Sequence, residues 1–469
     1  MKDKYLALVL QHARLLDEMG RMPEAVSYYR QAVELSGRDP HYLRHLAFAL
    51  TRDRQADEAI EILESLMDIF PDDRELHSWL GTLYQATDQV EKARQVIHSF
   101  FSHYPSHPTK PHRRDAPKIL RTLGAENTVY KLSLRSNGQV KRKRQGGHFT
   151  LKYLLDRKRY NFDNYYILGD NIDRIAPAQT YDLLLNTIAD PDVELSALKS
   201  LESYIAAHPK VQVINHPSKV ISTSRDGNYQ TFKDREGIYF PRTERLYSGG
   251  RGAVEIAADI EARNFRYPMI LRQPGTQSAR STALVDDREA LVAYITQNQS
   301  DCYYVIEFVK NASKKGHYSK IRFFAIDGVL YPVVYHIDQV WNVHGGNRKT
   351  FMSSHGWMLK KERQFLDNPA SIIGKDNYKR LKEIPKLIGL DFFGFDFTLK
   401  SDGTVLFFEL NPAMRHSFDH ANRFEYMRPH MQAITDAFTK MVDDRIALAR
   451  KARSAMGYAV LSQPARASR

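Results

Sequence analysis

The sequence holds a single cysteine, Cys302, in 469 residues. That excludes an internal disulfide framework and a cysteine-only zinc site, and a reducing, cytoplasmic setting fits best. Nor is there a stretch of 18 uncharged apolar residues, so no transmembrane helix is expected. The apolar run after Lys4 soon meets His12, Arg14, Asp17 and Glu18. It reads as a helix with a charged face rather than a cleaved leader. No Gly-x-Gly-x-x-Gly fingerprint follows the first α/β strand, which argues against a dinucleotide site. No serine or cysteine triad signal is present.

What is there is ordinary globular material, 42% hydrophobic and 26% charged, long enough for two to four domains at about 100–200 residues each. The net charge of +13 is unevenly spread. Residues 1–105 carry 12 Lys/Arg against 17 Asp/Glu, whereas residues 106–160 carry 15 against 3. Such a basic belt attracts anionic substrate, an acidic surface or nucleic acid, or is simply a solvated hairpin and helix. It contains no RNA-binding motif, so nucleic acid ranks last.

The first hundred residues repeat with a period of 34. Ala13, Ala47 and Gly81 share one column, and Leu16, Leu50 and Tyr84 a second. Ala25, Ala59 and Ala93 form a third, Tyr29, Leu63 and Ile97 a fourth, and Pro71 and Pro105 close two units. Small residues at fixed places let antiparallel helices approach, while bulky ones fill the space between units. This pattern resembles the tetratricopeptide repeat over about residues 5–106. The resemblance implies a short solenoid that binds a peptide or protein. The plain alternative is a module that packs on the rest of the chain or on a second copy.

His107–Arg114 reads as a linker with two prolines. Val129–Leu134 and Val140–Arg144, flanking Ser136-Asn137-Gly138, read as a basic hairpin. Beyond it, Tyr165–Leu168, Leu183–Leu185 and Val211–Ile214 are strand-like and residues 194–207 have a helical period. Strands separated by helices predict a small parallel-sheet unit. Further on, Tyr267–Arg272 leads into Gln273-Pro274-Gly275-Thr276-Gln277-Ser278, a basic strand end and small-residue loop able to cradle phosphate.

Two hairpins carry the chemistry. In the first, Asp391–Leu399 and Val405–Pro412 flank Asp402-Gly403. A two-residue turn there places Asp396 directly opposite Glu409, with Asn411 on the same face. The other face then pairs Phe395 with Leu410, Phe397 with Phe408 and Leu399 with Leu406, forming the core. Opposed carboxylates repel unless something positive sits between them. Two carboxylates and a carboxamide oxygen suit Mg²⁺ or Mn²⁺; a bridging basic side chain is the alternative. In the second hairpin, Lys320–Ile326 turns at Asp327-Gly328 into Val329–Tyr335, projecting Lys320 and Arg322 from one face toward a phosphate.

The order of these elements, closing on Glu409-Leu410-Asn411-Pro412, resembles the ATP-grasp superfamily over about residues 160–440. Asn215-His216-Pro217 looks like the end of that family's preceding small domain, and Gly237–Thr243 like the start of its nucleotide lobes. By resemblance, Asp396, Glu409 and Asn411 would hold Mg²⁺ or Mn²⁺, and Arg272, Lys320 and Arg322 would meet ATP phosphates. Arg272 and Arg322 would be the catalytic cations. Glu307, Phe308 and Val309 would form the adenine hinge. Asn342 and His344, within Trp341–Asn347, and Arg415 and His416 would lie near the acceptor. The family usually has Lys where Arg272 stands, and Gly275–Thr282 is a glycine-poor lid.

The expected fold is therefore multidomain, an all-α helical repeat solenoid followed by an α/β and α+β ATP-grasp fold. Its parts are the repeats at 1–106, a basic linker and hairpin at 107–160 and a small α/β domain at 161–215. The catalytic domain at 216–445 and a basic tail at 446–469, ending in Pro464–Arg469, complete it. The implied activity is an ATP- and Mg²⁺-dependent ligase that activates a carboxylate as an acyl phosphate for attack by an amine. The repeats would recruit a peptide or protein, and no membrane is involved. The rivals are a kinase of the same fold acting on a hydroxyl, and a non-catalytic repeat scaffold.

Overall fold

The computed structural model describes every residue except 1, 110–112, 128, 135–139, 146, 178–179, 276–280, 344 and 456–469, and gives residues 129–134, 140–145, 347 and 455 as backbone only. The expected turn at Ser136-Asn137-Gly138, His344, most of the Gly275–Thr282 lid and the Pro464–Arg469 tail lie outside the described residues. The chain divides into two compact units. One comprises residues 1–107, 124–146 and 166–173, and the other comprises 108–123, 147–165 and 174–469.

In the first unit, six helices run from Lys2–Glu18 to Val90–His103. Every residue of the four repeat columns from Ala13 to Ile97 is buried. Ala13, Ala25, Ala47, Ala59 and Ala93 are wholly so, as close helix approach requires. Gly81 marks the tightest place: a Cβ there would meet Ile97 Cγ1 at 3.0 Å. Asp39 and Asp73 cap their helices, the Asp73 carboxylate accepting from the backbone N–H of Glu75 and Leu76 at 2.8 and 3.1 Å. Phe101 stacks on Tyr166 with ring centroids 4.2 Å apart, and the Asn171 amide donates to Phe101 O at 3.1 Å. The basic strands Val129–Leu134 and Val140–Gln145 pair antiparallel, as expected.

The second unit holds the mixed α/β sheets. Leu183–Asn186 and Val213–Ile214 pair in parallel around the helix Leu195–Ala207, the βαβ arrangement read from the sequence. A third parallel strand, Lys118–Gly124, joins them from a stretch expected to be linker and hairpin. It buries Ile119, Leu120 and Leu123, and the prolines just before it, Pro111 and Pro117, had masked it. The expected boundary at 445/446 also moves. The helix Arg428–Ala455 runs through it, burying Ile446, and Arg450 and Arg453 both bind Asp182.

Two antiparallel sheets follow. The smaller has the order 282–285, 269–272, 302–307, 243–247. The larger has the order 329–338, 318–326, 392–399, 405–411, with Ile238–Tyr239 in parallel on its edge. Residues 240–242 thus carry the chain from one sheet to the other. Asp327-Gly328 is the two-residue turn expected, with Ile326 paired to Val329. The Asp402-Gly403 turn is not. Lys400 N donates to Thr404 O at 2.9 Å and Gly403 sits at φ +87°, so three residues form the tip.

That extra residue slips the register near the turn: Phe397 faces Phe407 and Leu399 faces Val405, not Phe408 and Leu406. A bulge between Asp396 and Phe397 then restores the alignment, and Asp396 faces Glu409. Phe408, the surplus residue, is 37% exposed. Phe395, Phe397 and Phe407 remain fully buried, so the core face survives.

Candidate active site

The second unit encloses a cavity of about 470 Å³. Among its lining residues are Arg272, Glu307, Phe308, Val309, Lys320, Arg322, Asn342, Asp396, Glu409, Asn411 and Arg415. Eleven of the thirteen residues singled out from the sequence thus face one space. They come from strand ends in both antiparallel sheets and from the loops beside them.

The floor is a charged lattice. Arg322 lies across from Asp396 on the neighbouring strand and binds it in two places, Nε to Oδ1 at 2.6 Å and Nη2 to Oδ2 at 2.7 Å. Lys320 Nζ stands 3.8 Å from Asp396 Oδ2. Burial would raise the Asp396 carboxyl, but Arg322, Lys320 and Arg225 hold it below the usual range. Glu409 has its own cation: Arg225 Nη2 donates to Oε1 at 2.8 Å, and the Asn411 amide donates to the same oxygen at 2.9 Å. The opposed carboxylates are therefore each neutralised by a different arginine, where the sequence reading offered a single basic side chain bridging the pair.

Two oxygens are left over. Asn411 Oδ1 is buried without a hydrogen-bond partner, and Glu409 Oε2 has none among the described residues. An orphaned carboxamide oxygen beside a carboxylate oxygen is a hard-donor pair, and it fits a divalent Mg²⁺-like ion. Asp396, committed to Arg322, lies beside them.

Burial, with Arg225 nearby, lowers Arg272 to about 10; Glu409, Asp190 and Asp192 act in the opposite sense. This guanidinium is within electrostatic reach of both the lattice and the far wall. The Glu307 carboxylate accepts from Tyr239 Oη at 2.6 Å and from Arg242 N at 3.1 Å. Its side chain is thereby consumed in joining the two sheets, and Phe308 and Val309 beyond it line the cavity. Phe308 packs edge-on to Trp341, with centroids 5.6 Å apart. Arg415 is at the rim and pairs with Asp419 at 2.6 Å.

His416 is a correction. It does not line the cavity but is 1% exposed, its Nε2 3.1 Å from Thr435 Oγ1 and its ring edge-on to Phe418. Burial lowers it to about 4, so it is a neutral packing residue. The sequence reading also missed Arg225, Asp190 and Asp192. Arg225 opens the short helix Arg225–Phe232 after the Ser224 cap, and no spacing connects it to Glu409, 184 positions away.

The tetratricopeptide repeat family matches residues 50–105. No curated protein matches the chain. The chain is similar to solved ligases. D-alanine–D-alanine ligase from Bacillus anthracis, complexed with ATP, is 12% identical over 72% of this chain and 99% of that one, with a TM-score of 0.40. The D-Ala:D-Ser ligase from Enterococcus faecalis is 14% identical over 71% and 100%, at 0.38. N5-carboxyaminoimidazole ribonucleotide synthetase from Thermotoga maritima is 13% identical over 68% and 75%, at 0.37.

Proposed function

We propose that the protein is an ATP- and Mg²⁺-dependent ligase that activates a carboxylate as an acyl phosphate, which an amine then attacks. The observation that carries this reading is the convergence of Arg225, Arg272, Lys320 and Arg322 on Asp396, Glu409 and Asn411 in one cavity. So many cations around a few acidic groups and an orphaned carboxamide oxygen suit a polyphosphate with its divalent ion.

Glu409 and Asn411, with Asp396 beside them, would hold the metal. When bound, it would neutralise phosphate charge and orient the transferred group. Arg272 would bind ATP oxygens from the small-sheet side, and Lys320 and Arg322 would do so from the large-sheet side. Because Arg322 is held by Asp396, its guanidinium is pre-oriented when phosphate arrives. The backbone after Glu307 would take the adenine edge. ATP⁴⁻ and a carboxylate give ADP³⁻ and a dianionic acyl phosphate; no side-chain nucleophile is needed. The repeats would recruit a peptide or protein carrying one of the reacting groups.

The test is product analysis with the full chain, ATP and Mg²⁺ across a panel of carboxylates and amines. Release of one phosphate with each ADP supports ligation. ADP formed with the phosphoryl group retained on a hydroxyl product overturns it in favour of a kinase. Failure of ATP and Mg²⁺ to bind overturns both.

A further inference from the structure

We propose that Asp190 is the proton acceptor for the incoming amine, a role that rests on the ligase reading above. Asp190 lines the same cavity on the wall formed by the loop after Leu183–Asn186. That strand is parallel to both of its neighbours, and ligands of parallel sheets gather beyond the carboxyl ends of the strands. None of the ATP- or metal-directed residues comes from this wall. It is the side left for the second substrate.

The carboxylate is held in place. Its Oδ1 accepts from Asp192 N at 3.0 Å, its backbone N–H donates to Gly147 O at 3.0 Å, and its carbonyl accepts from Val193 and Glu194. Gly147 lies so close that a Cβ on it would stand 2.6 Å from Asp190 Cβ. Oδ2 has no hydrogen-bond partner among the described residues. One oxygen is anchored and the other remains available to the cavity.

The charged groups facing it are Asp192 on its own loop, Arg225 on the Arg225–Phe232 helix and Arg272 on the Met269–Arg272 strand. Burial, reinforced by Asp192, raises Asp190 to about 6, although Arg225 and Arg272 oppose this. A carboxylate of this kind is charged at neutral pH yet basic enough to take a proton. Asp192 is different: its oxygens are spent on Tyr304 Oη at 2.8 Å and Arg245 at 2.6 Å.

An ammonium group gives one proton to Asp190 Oδ2, and the freed nitrogen lone pair forms a bond to the acyl carbon. The C–O bond to phosphate breaks with its electron pair on oxygen. The second N–H proton leaves with phosphate as HPO₄²⁻, the third stays in the amide, and Asp190 passes its proton to solvent.

The test compares wild type with Asp190→Asn in the full chain, with ATP, Mg²⁺ and the panel of carboxylates above. Each carboxylate is offered either glycinamide, largely protonated near neutral pH, or hydroxylamine, which is largely unprotonated there and needs no base. ADP release is read from pH 5 to 9. The variant should lose about a hundredfold or more in kcat with glycinamide, keep hydroxylamine turnover within a few-fold and lose the acid limb near pH 6. Equal loss, or equal retention, with both nucleophiles overturns the assignment while leaving the ligase reading standing. A wild type that releases no ADP with either nucleophile overturns both. A second arm needs no substrate: a water-soluble carbodiimide with taurine should label Asp190 at pH 6 and much less at pH 8. Absence of label at pH 6 also overturns the proposal.

Discussion

Arg322 and Asp396 stand opposite each other on adjacent antiparallel strands and share two hydrogen bonds, at 2.6 and 2.7 Å. The pair lies in a buried sheet at the floor of the cavity, where removing one member strands the other. Arg322→Met should therefore cost about 3–5 kcal/mol of stability as well as turnover. Chemical denaturation will measure the first and ADP release the second. Asp396→Asn should cost less stability than Arg322→Met, because a carboxamide still accepts one of the two bonds.

The same pair sets an acid limit. The folded Asp396 carboxyl is depressed below its unfolded value, so its contribution is fully present above about pH 4 and is lost as pH falls through the depressed value. Acid melts of wild type should show a carboxylate-dependent loss below about pH 4. In Asp396→Asn that loss should be smaller. An identical acid midpoint for both proteins would contradict the pairing.

Glu409→Gln should abolish most turnover, about 10²–10³-fold, with the fold retained. From the sequence alone, relief of repulsion with Asp396 would be expected to raise the melting temperature or leave it unchanged. Arg225 removes that expectation, since Glu409 already has a cation at 2.8 Å. The melting temperature without Mg²⁺ should hold or fall slightly. Stabilisation by Mg²⁺ and a non-hydrolysable ATP analogue should shrink, which differential scanning calorimetry will read.

Truncation of residues 1–106 would test recruitment only if the repeats formed a unit of their own. The first unit, however, also contains residues 124–146 and 166–173. Removing Phe101 and Arg74 takes away two groups packed on Tyr166, and the buried Asn171 amide loses one of its acceptors, the Phe101 carbonyl. The truncated chain should melt below the full chain or aggregate. Recruitment by the repeats is better tested with surface substitutions in the intact protein, reading KM for a peptide substrate against that for a minimal fragment.

Within the repeats, Gly81→Val should destabilise by about 1–3 kcal/mol, because Ile97 Cγ1 and Cδ1 lie 3.0 and 3.1 Å from the added Cβ. In an Ile97→Ala background the same substitution should cost much less. A double-mutant cycle in urea measures the coupling.

What could be read from the chain follows its ranges of interaction. The repeat columns and both hairpins are local, and each was legible because period or turn chemistry reports it within a few dozen residues. Asp396 came to face Glu409, yet by a route the sequence concealed: a longer turn and a bulge, two departures that cancel. Arg225 and Asp190 reach the cavity from distant segments, and no local pattern could connect them to Glu409 or Arg272. His416 was misplaced for the opposite reason. Its neighbours in sequence line the site, but its own ring turns toward Thr435 and Phe418.

The cancelling turn and bulge give the first hairpin a built-in slack. Its tip, Ser401-Asp402-Gly403, has one register and its site end another, and Phe408, which borders the cavity, takes up the difference. Length changes at the tip are thereby insulated from the carboxylates. A short reporter peptide inserted between Ser401 and Asp402 would ride on the hairpin without moving Asp396 from Glu409, making this tip a natural place to tether a fluorophore or affinity handle.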